Sequence, residues 1–330
     1  MGTRRAGYRQ RVRLRRSDPS QPGLGRRRCG RGFRYLGVDG RPLTRSADIA
    51  RCRALVIPPA WKDVWICADP QGHLQATGVD VAGRRQYLYH PLWRERRDRR
   101  KFNHVREVAA RLPRLRRRVG VDLGEADLSR HRILALATRL IDRGLFRVGS
   151  DEYPTHGVAT LQASHVKRDG TAITFRYAAK GGVERECTVR DGAAAAAVGA
   201  LLRHRRGRQR LLAFRDENRW RDVHAADIND YLRTASGMDM TAKDLRTWHA
   251  TVVAAIGLAR QGPPRSKSAA RRAVASVMRD VAEELGNTPT IARASYVDPT
   301  VVELYLRGTT IETERAGPAA EKAVLDLLND

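Results

Sequence analysis

Short β-rich runs follow one another in the first third of the chain, and turn-forming residues separate them. The runs VWIC, LQATGVD and QYLYH lie between Pro-Pro, Asp-Pro and glycine-containing turns. β-Branched and aromatic residues in runs of this length, bounded by such turns, are typical of strands. Residues 92–112 then show mixed charge at helical spacing. We therefore predict a small β-rich domain over residues 33–112 that includes this helix.

A break in the helical pattern separates this domain from the rest of the chain. The segment from Pro113 to Ala126 contains a proline and two glycines, which interrupt a helix or weaken it. We predict a linker over residues 113–126 and a second domain over residues 127–330.

Helical spacing dominates the second domain. Between its first two predicted helices, residues 165–189 predict three strands, with turns at Asp169-Gly170 and Lys180-Gly181-Gly182. The predicted fold class is α+β, with a small β-rich N-terminal domain and a mostly α-helical domain that carries a short β-hairpin sheet. Apolar periodicity and capping residues predict helices at residues 128–143, 191–206, 225–234, 241–261, 267–286 and 318–328.

Two helix starts lie close together near the C-terminal end. Thr288 precedes Pro289, and Asp298 precedes Pro299. A short capping side chain followed by proline at the first helical position favours the start of a helix. The sequence therefore predicts a short helix that ends at Tyr296.

The net positive charge of the chain indicates the kind of partner that it binds. The 330 residues include 63 Lys and Arg against 36 Asp and Glu, which gives a formal net charge of +27. A surplus of this size favours polyanions such as nucleic acid and carries no information about fold. Residues 1–32 are rich in Arg, Gly, Pro and Ser, and we predict that they form a disordered basic arm.

Cysteine spacing and hydropathy indicate the compartment. The four cysteines show no C-x-x-C spacing and no paired histidines, so neither a zinc site nor a disulfide framework is predicted. No run of 18 apolar residues occurs, and the N-terminus lacks the apolar stretch of a signal peptide. We expect a cytoplasmic, nucleoid-associated protein that makes no use of a membrane.

Motifs for nucleotide hydrolysis and for catalytic metals are missing from the sequence. It contains no G-x-x-x-x-G-K-[ST] and no D-x-D pair, and GLGRRRCG has Arg28 in place of the last glycine of G-x-G-x-x-G. We expect no cofactor and no metal. Phosphoryl transfer without a metal requires cations that stabilise the transition state, an acid for the leaving oxygen and a nucleophile.

Four local patterns contain residues of these types. GLFRVGSDEY contains Arg147, RYAAKGG contains Lys180, TAKDLRTWHAT contains Arg246, and NTPTIARASYVDP contains Asn287 and Tyr296. With this order of residues, and with IPPAWKDVWI, GHLQATGVD and GRRQYLYHP upstream, the sequence resembles the type IB DNA topoisomerases of the small bacterial, poxvirus-like kind. The resemblance extends over residues 33–305.

The resemblance implies an enzyme that relaxes supercoiled double-stranded DNA by cleaving one strand, letting it rotate and resealing it, without ATP or metal. By the same resemblance, Tyr296 matches the nucleophile that forms a 3′-phosphotyrosyl intermediate. Arg147 and Arg246 match the two arginines that bind the phosphate oxygens, and Lys180 matches the general acid. A monomer that forms a clamp around duplex DNA is also implied.

One position departs from part of this family. Asn287 stands where viral and eukaryotic members have histidine, nine residues before the tyrosine. Its amide donates a hydrogen bond to a phosphate oxygen but carries no charge, so we expect the same role with weaker electrostatic stabilisation. His249, three residues after Arg246, is an alternative candidate for assisting Asn287.

A second set of residues belongs to the β-rich domain. In RRQYLYH, Tyr87 and Tyr89 fall on the same face of the predicted strand. A half-buried strand with a solvated basic edge would also produce this pattern. The resemblance favours DNA contact. It implies that Gln86 reads a base edge, that Tyr87 and Tyr89 touch the DNA backbone, and that Arg84 and Arg85 beside them also bind DNA.

Two alternatives remain open on the sequence alone. A tyrosine recombinase would use a similar arginine-rich pocket and tyrosine, but it normally presents H-x-x-R where this chain has Lys243-Asp244-Leu245-Arg246. A non-catalytic architectural DNA-binding protein would explain the charge, but it gives no reason for Tyr296 and its ordered partners.

Overall fold

The chain combines helices and antiparallel sheets in two compact units, which divide between Lys101 and Phe102. The computed structural model describes residues 13–152, 155–179, 182–217, 219–312 and 317–330. Over these ranges, no helix has both the length and the apolar character needed to cross a membrane. The predicted mixture of a small N-terminal sheet and a helical core is confirmed.

The first unit is built on an antiparallel sheet of five strands. The strand order is β2-β1-β3-β4-β5, so the first hairpin adds to one edge of a meander formed by the other three strands. Leu24, Ile66 and Ala76 of this sheet form a buried core with Cys52 of helix α1 (Ser46–Ala54). The strands are β1 (Leu24–Cys29), β2 (Gly32–Leu36), β3 (Lys62–Ile66), β4 (Leu74–Val79) and β5 (Arg85–Tyr89).

The predicted disordered arm over residues 1–32 is wrong for its described part. β1 pairs with β2 and β3 inside the sheet, and the Arg15 backbone hydrogen-bonds to Gln71 and His73 at 3.0 and 2.8 Å. Backbone pairing of this kind does not depend on side-chain hydropathy, so the arginine-rich sequence of β1 hides the strand. Residues 1–12 of the predicted arm lie outside the described residues.

The predicted linker over residues 113–126 is also wrong. Helix α2 (Pro91–Leu123) continues through Pro113. Proline removes one backbone donor, but the apolar face of the helix is buried on both sides of it, at Leu112, Leu115 and Val119. Burial of this face outweighs the lost hydrogen bond, and the division between the two units lies within α2 rather than after it.

The second unit contains the other helices and two small sheets. Six predicted helices and the three-stranded sheet are confirmed near their predicted positions. A hairpin of β9 (Ala213–Asp216) and β10 (Arg219–Asp222) was not predicted. The three-stranded sheet consists of β6 (Val166–Asp169), β7 (Ala172–Ala178) and β8 (Glu184–Arg190), in this order. The helices are α3 (Arg130–Gly144), α4 (Gly192–Leu202), α5 (Ala225–Ser236), α6 (Ala242–Gln261), α7 (Lys267–Leu285), α8 (Pro289–Ser295), α9 (Pro299–Leu306) and α10 (Pro318–Asn329).

The core of this unit explains why α3 and α6 are rigid supports. α3 buries Ile133, Leu134 and Leu136 completely, and α6 buries Trp248 and most of its other apolar positions. α6 packs against α7 and α9. The segments that follow α3 and α7, and the first turns of α6, therefore start from fixed positions.

Candidate active site

The end of α7 brings together most of the residues that the sequence predicts for catalysis. The helix stops at Gly286, whose φ of 61° places it in the left-handed region that glycine adopts readily. The backbone N–H of Asn287 then donates to the Ala282 carbonyl at 2.8 Å. This turn leaves the carbonyl groups of Leu285 and Gly286 available to side chains from elsewhere.

Arg147 reaches this turn from the loop after α3. Its carbonyl accepts from the N–H of Val158 at 2.8 Å, which ties the loop to a short 3-10 turn. Its guanidinium donates from Nη2 to the Gly286 carbonyl at 3.1 Å and also to Asn287 Oδ1. The second contact orients the amide of Asn287 so that its nitrogen, not its oxygen, faces away from Arg147.

Arg246 reaches the same turn from the second turn of α6. The start of α6 is fixed by a capping box in which the Thr241 N–H donates to Asp244 Oδ2 at 2.9 Å. Arg246 is only 2% exposed, and its Nη2 donates to the Leu285 carbonyl at 3.0 Å. The two arginines therefore bind neighbouring carbonyls at one helix end.

Tyr296 lies beside Arg246 at the end of α8, as the capping residues predict. Thr288 caps α8 and Asp298 caps α9, each with proline in the first turn. The Cζ atom of Arg246 lies 5.6 Å from the centre of the Tyr296 ring. This half-buried tyrosine is thus held between two short helices, next to a buried guanidinium.

Two elements fix the backbone around Tyr296. Thr251 of α6 accepts from the Asp298 N–H through Oγ1 at 3.1 Å. Its single hydroxyl proton is shared between the Thr247 carbonyl at 2.9 Å and the Tyr296 carbonyl at 3.3 Å. Arg106 of α2 donates from Nη2 to the buried carboxylate of Asp298 at 2.9 Å. The tyrosine is therefore attached to the helix that carries Arg246.

Several nitrogens of this cluster are buried without a hydrogen bond inside the described part of the chain. They are Arg147 Nη1, Arg246 Nε, Arg246 Nη1 and Asn287 Nδ2. A buried donor without an acceptor costs free energy, and guanidinium groups pair well with the oxygens of phosphates. The arrangement fits an anion with several oxygens, and Tyr296 lies beside one of its arginines, Arg246.

The cluster carries positive charge at neutral pH. Burial lowers the pKa of Arg246 to about 10, the charges of Arg185 and Arg147 act in the same direction, and attraction to Tyr296 opposes them. Because this value is well above 7, Arg246 stays protonated. The proximity of like charges raises the electrostatic potential that an incoming phosphate would experience.

Comparison with known proteins identifies the family of this chain. The family model "Eukaryotic DNA topoisomerase I, catalytic core" matches residues 91–314, more than half of the chain. The chain belongs to the type IB DNA topoisomerases. A second model, "Bacterial DNA topoisomerase IB, N-terminal domain", matches residues 32–80. The chain is also 27% identical over 293 residues to "DNA topoisomerase 1B" of Acanthamoeba polyphaga mimivirus, covering 86% of this chain and 87% of the relative.

Membership of the type IB topoisomerases decides between the alternatives that the sequence left open. The chain is a DNA-binding isomerase of the topoisomerase class, and the matched N-terminal model is of the bacterial kind. Neither a recombinase nor a purely architectural DNA-binding protein is needed to explain the sequence. The matches identify the enzyme class and leave the individual catalytic roles to be argued from the site.

Two further candidate residues of this topoisomerase are Lys180 and His249. Lys180 lies outside the described residues, in the connection between β7 and β8. His249 donates from Nε2 to Asp142 Oδ1 at 2.9 Å, and Arg116 donates from Nε to Asp142 Oδ2 at 2.9 Å. The ring of His249 is thus bound in a partly buried network around Asp142, and the structure gives no support for its assistance to Asn287.

The predicted DNA-contact residues of the topoisomerase's first unit lie along β5 and the turn before it. Tyr87 and Tyr89 stack with ring centres 6.3 Å apart, which agrees with their predicted position on one face. Asp80 accepts from Arg84 Nε at 3.1 Å and from Gln86 Nε2 at 2.9 Å. β5 is an edge strand of the sheet.

Sequence reasoning missed three residues that support the topoisomerase site. Arg185 of β8 donates to backbone carbonyls at the ends of α3 and α7, while Thr251 and Arg106 fix the segment after Tyr296. These contacts join positions that are far apart in the chain, so no local pattern could have indicated them.

Gly157 provides a test of the Arg147 loop. A Cβ atom at this position would lie 2.4 Å from the Gly149 nitrogen and 2.7 Å from the Arg147 carbonyl oxygen. Gly157→Ala should therefore displace the backbone of Arg147. If Arg147 has the catalytic role that the sequence predicts, single-turnover cleavage of an oligonucleotide should slow about tenfold or more. The affinity for DNA should change little.

The matched control is Gly192→Ala. Its Cβ atom would meet only Thr171 Cγ2, at 3.7 Å, which is an ordinary contact. Equal cleavage rates for the two folded variants would show that the close approach at Gly157 does not determine the position of Arg147.

Proposed function

We propose that this topoisomerase acts by reversible transesterification at a phosphodiester bound between Arg147, Arg246 and Asn287. The observation that carries the proposal is the convergence of four buried donor nitrogens of these residues beside Tyr296. Such donors stabilise the negative charge that develops on the non-bridging oxygens during phosphoryl transfer. Their position at the end of α7 supports a site that is organised before DNA binds.

In the proposed cleavage step the hydroxyl oxygen of Tyr296 attacks the phosphorus atom. The bond from phosphorus to the 5′-oxygen breaks, and a 3′-phosphotyrosyl bond forms. Tyr296 loses its hydroxyl proton to water, and the leaving 5′-oxygen gains one from Lys180. Resealing reverses each of these changes. The number of phosphoester bonds is conserved, so relaxation needs no ATP. In this proposal the guanidinium groups of Arg147 and Arg246 supply the positive charge at the phosphate that a metal would otherwise supply.

Asn287 takes the place of a charged group in this proposal. Its Oδ1 accepts from Arg147, which leaves the amide nitrogen to donate to a non-bridging oxygen. A neutral donor stabilises the transition state less than a cation does. The charge of the site then rests on the two arginines.

Contacts outside the cleavage site would hold the substrate. We propose that Arg84, Arg85, Tyr87 and Tyr89 contact the DNA backbone. Because Asp80 binds the amide nitrogen of Gln86, the side-chain oxygen of Gln86 would accept from an exocyclic amino group of adenine or cytosine in the major groove. The proposed active species is a monomer that clamps duplex DNA in the nucleoid.

Replacing Tyr296 with phenylalanine removes the proposed nucleophilic oxygen and nothing else. We expect Tyr296→Phe to abolish relaxation of a supercoiled plasmid and to form no covalent adduct, while it binds DNA as the wild type does. The assay contains EDTA and no ATP, and the wild type should remain fully active in it.

Tyr305→Phe is the matched control, because Tyr305 is buried in α9 of the same segment. It should retain relaxation. Relaxation by Tyr296→Phe would exclude this tyrosine as the nucleophile, and loss of wild-type activity in EDTA would exclude a mechanism without metal.

The role of Lys180 can be tested chemically. A 5′-alkoxide is a poor leaving group that needs a proton, whereas the thiolate expelled from a 5′-bridging phosphorothiolate does not. Lys180→Ala should cleave an ordinary oligonucleotide slowly and should recover most of its rate on the phosphorothiolate. Arg246→Ala should remain slow on both substrates, because its defect concerns the non-bridging oxygens.

Lys167→Ala is the control, since Lys167 lies on β6 of the same sheet and is exposed. It should cleave both substrates normally. If the phosphorothiolate restores the cleavage rate of Lys180→Ala and Arg246→Ala equally, or of neither, Lys180 is not the general acid. If Lys167→Ala is slow on the ordinary substrate and only its rate is restored, Lys167 is the general acid.

A further inference from the structure

Arg185 of β8 is a cation that the proposed mechanism does not use. Its Nη2 donates to the Gly144 carbonyl at 3.0 Å and to the Glu284 carbonyl at 3.0 Å, and its Nη1 donates to the Leu145 carbonyl at 3.2 Å. One side chain thus binds the ends of two helices, α3 and α7. These helices lead directly into Arg147 and Asn287.

The contact with α7 belongs to a regular series. Glu284, Leu285 and Gly286 are consecutive, and their carbonyls accept from Arg185, Arg246 and Arg147 respectively. The last carbonyls of a helix have no partner within the helix, and together they carry a partial negative charge. The end of α7 therefore binds three guanidinium groups in order, one from each of three different elements.

The contact with α3 fixes the start of the Arg147 loop. Leu145 adopts a φ of 53°, which is unfavourable for a residue with a side chain. Arg185 binds the carbonyls on both sides of this strained position, and its Cζ lies 5.6 Å from the centre of the buried Phe146 ring. Phe146 in turn packs edge-on against Phe175 of β7, with ring centres 4.9 Å apart. Arg185 thus fixes the backbone at the start of the Arg147 loop, and the packing of Phe146 fixes a side chain of the same segment.

From these contacts we propose that Arg185 is a positioning residue for the phosphate site: it sets the distance between the Arg147 loop and the end of α7. The inference rests on the proposed function of Arg147, Arg246 and Asn287. Both terminal nitrogens of Arg185 bind backbone carbonyls, whereas Arg147 and Arg246 retain unbonded buried nitrogens. Arg185 acts through the residues that touch the substrate.

Because Arg185 lies on the strand that follows the hairpin of Lys180, its effect on the acid must be separated from its effect on the phosphate site. The ordinary and the 5′-bridging phosphorothiolate oligonucleotides make this separation. We expect Arg185→Ala to slow single-turnover cleavage at saturating enzyme about tenfold to hundredfold on both substrates, by misplacement of the catalytic groups. Recovery on the phosphorothiolate would overturn the proposal, because Arg185 would then act through the acid.

A double-mutant cycle identifies the residue through which Arg185 acts. In the Arg147→Ala background, Arg185→Ala should lower the cleavage rate less than about threefold. The loop that Arg185 positions then no longer carries the guanidinium of Arg147. Full additivity of the two effects would contradict a positioning role.

Arg176→Ala is the control for removing one arginine from this sheet. Arg176 lies on β7, is largely exposed and binds Glu186 through Nε at 2.9 Å. It should cleave at the wild-type rate. If it slows cleavage as much as Arg185→Ala does, the loss of positive charge alone explains the effect and the proposal is wrong.

Arg185→Lys covers the case in which the alanine variant does not fold. Lysine retains the charge but lacks the planar guanidinium that binds three carbonyls. The cleavage rate of Arg185→Lys should therefore lie between those of the wild type and Arg185→Ala, several-fold below the wild type. A folded lysine variant with the wild-type rate would overturn the proposal. Absence of any covalent adduct in the wild type would instead reject the proposed function itself, so the two failures are distinguishable.

Discussion

The carbonyl end of α7 is the feature on which the proposed active site depends. Three arginines would repel one another if they were brought together in a partly buried site without compensation. Here each arginine donates to a different carbonyl of the last turn, at Glu284, Leu285 and Gly286. The helix end supplies partial negative charge and fixed directions, so backbone carbonyls hold the guanidinium groups in place.

The proposed nucleophile, Tyr296, is connected to the same framework by its backbone. Thr251 lies on the helix that carries Arg246 and hydrogen-bonds on both sides of Val297, to Tyr296 and Asp298. Arg106 binds the Asp298 carboxylate, which also caps α9 by accepting from the Thr300 N–H at 2.9 Å. The tyrosine and the nitrogens that we propose to bind the phosphate thus belong to one set of packed helices. Such pre-organisation reduces the reorganisation that the reaction requires.

Local patterns in the sequence predict the elements of the catalytic unit well. Capping residues and prolines at 288–289 and 298–299 predict α8 and α9, and turn residues predict the sheet of β6, β7 and β8. The order of Arg147, Arg246, Asn287 and Tyr296 predicts that these residues share a site, and the structure brings them together. Sequence patterns do not predict two other elements. In the arginine-rich β1, backbone pairing forms the strand, and in α2, a buried apolar face continues the helix through Pro113.

The supporting contacts of the site are beyond the reach of sequence patterns. Arg185 resembles any other arginine of an exposed strand until its carbonyl partners, which come from two distant helices, are known. His249 is close to Arg246 in sequence, yet its ring binds Asp142. Whether a charged side chain touches a substrate or a backbone carbonyl depends on tertiary packing alone, and in a chain with this many arginines the distinction determines which of them take part in catalysis.

The most direct test of this account is a crystal structure of the protein joined covalently to DNA. We expect a phosphate on Tyr296 whose non-bridging oxygens lie within about 3.2 Å, a normal hydrogen-bond distance, of Arg147 Nη1, Asn287 Nδ2 and at least one of Arg246 Nε and Nη1. We also expect Arg185 to bind the carbonyls of Leu145 and Glu284 as it does without DNA. A phosphate bound beyond the reach of these nitrogens, or an Arg185 side chain turned onto the phosphate, would contradict the proposed mechanism.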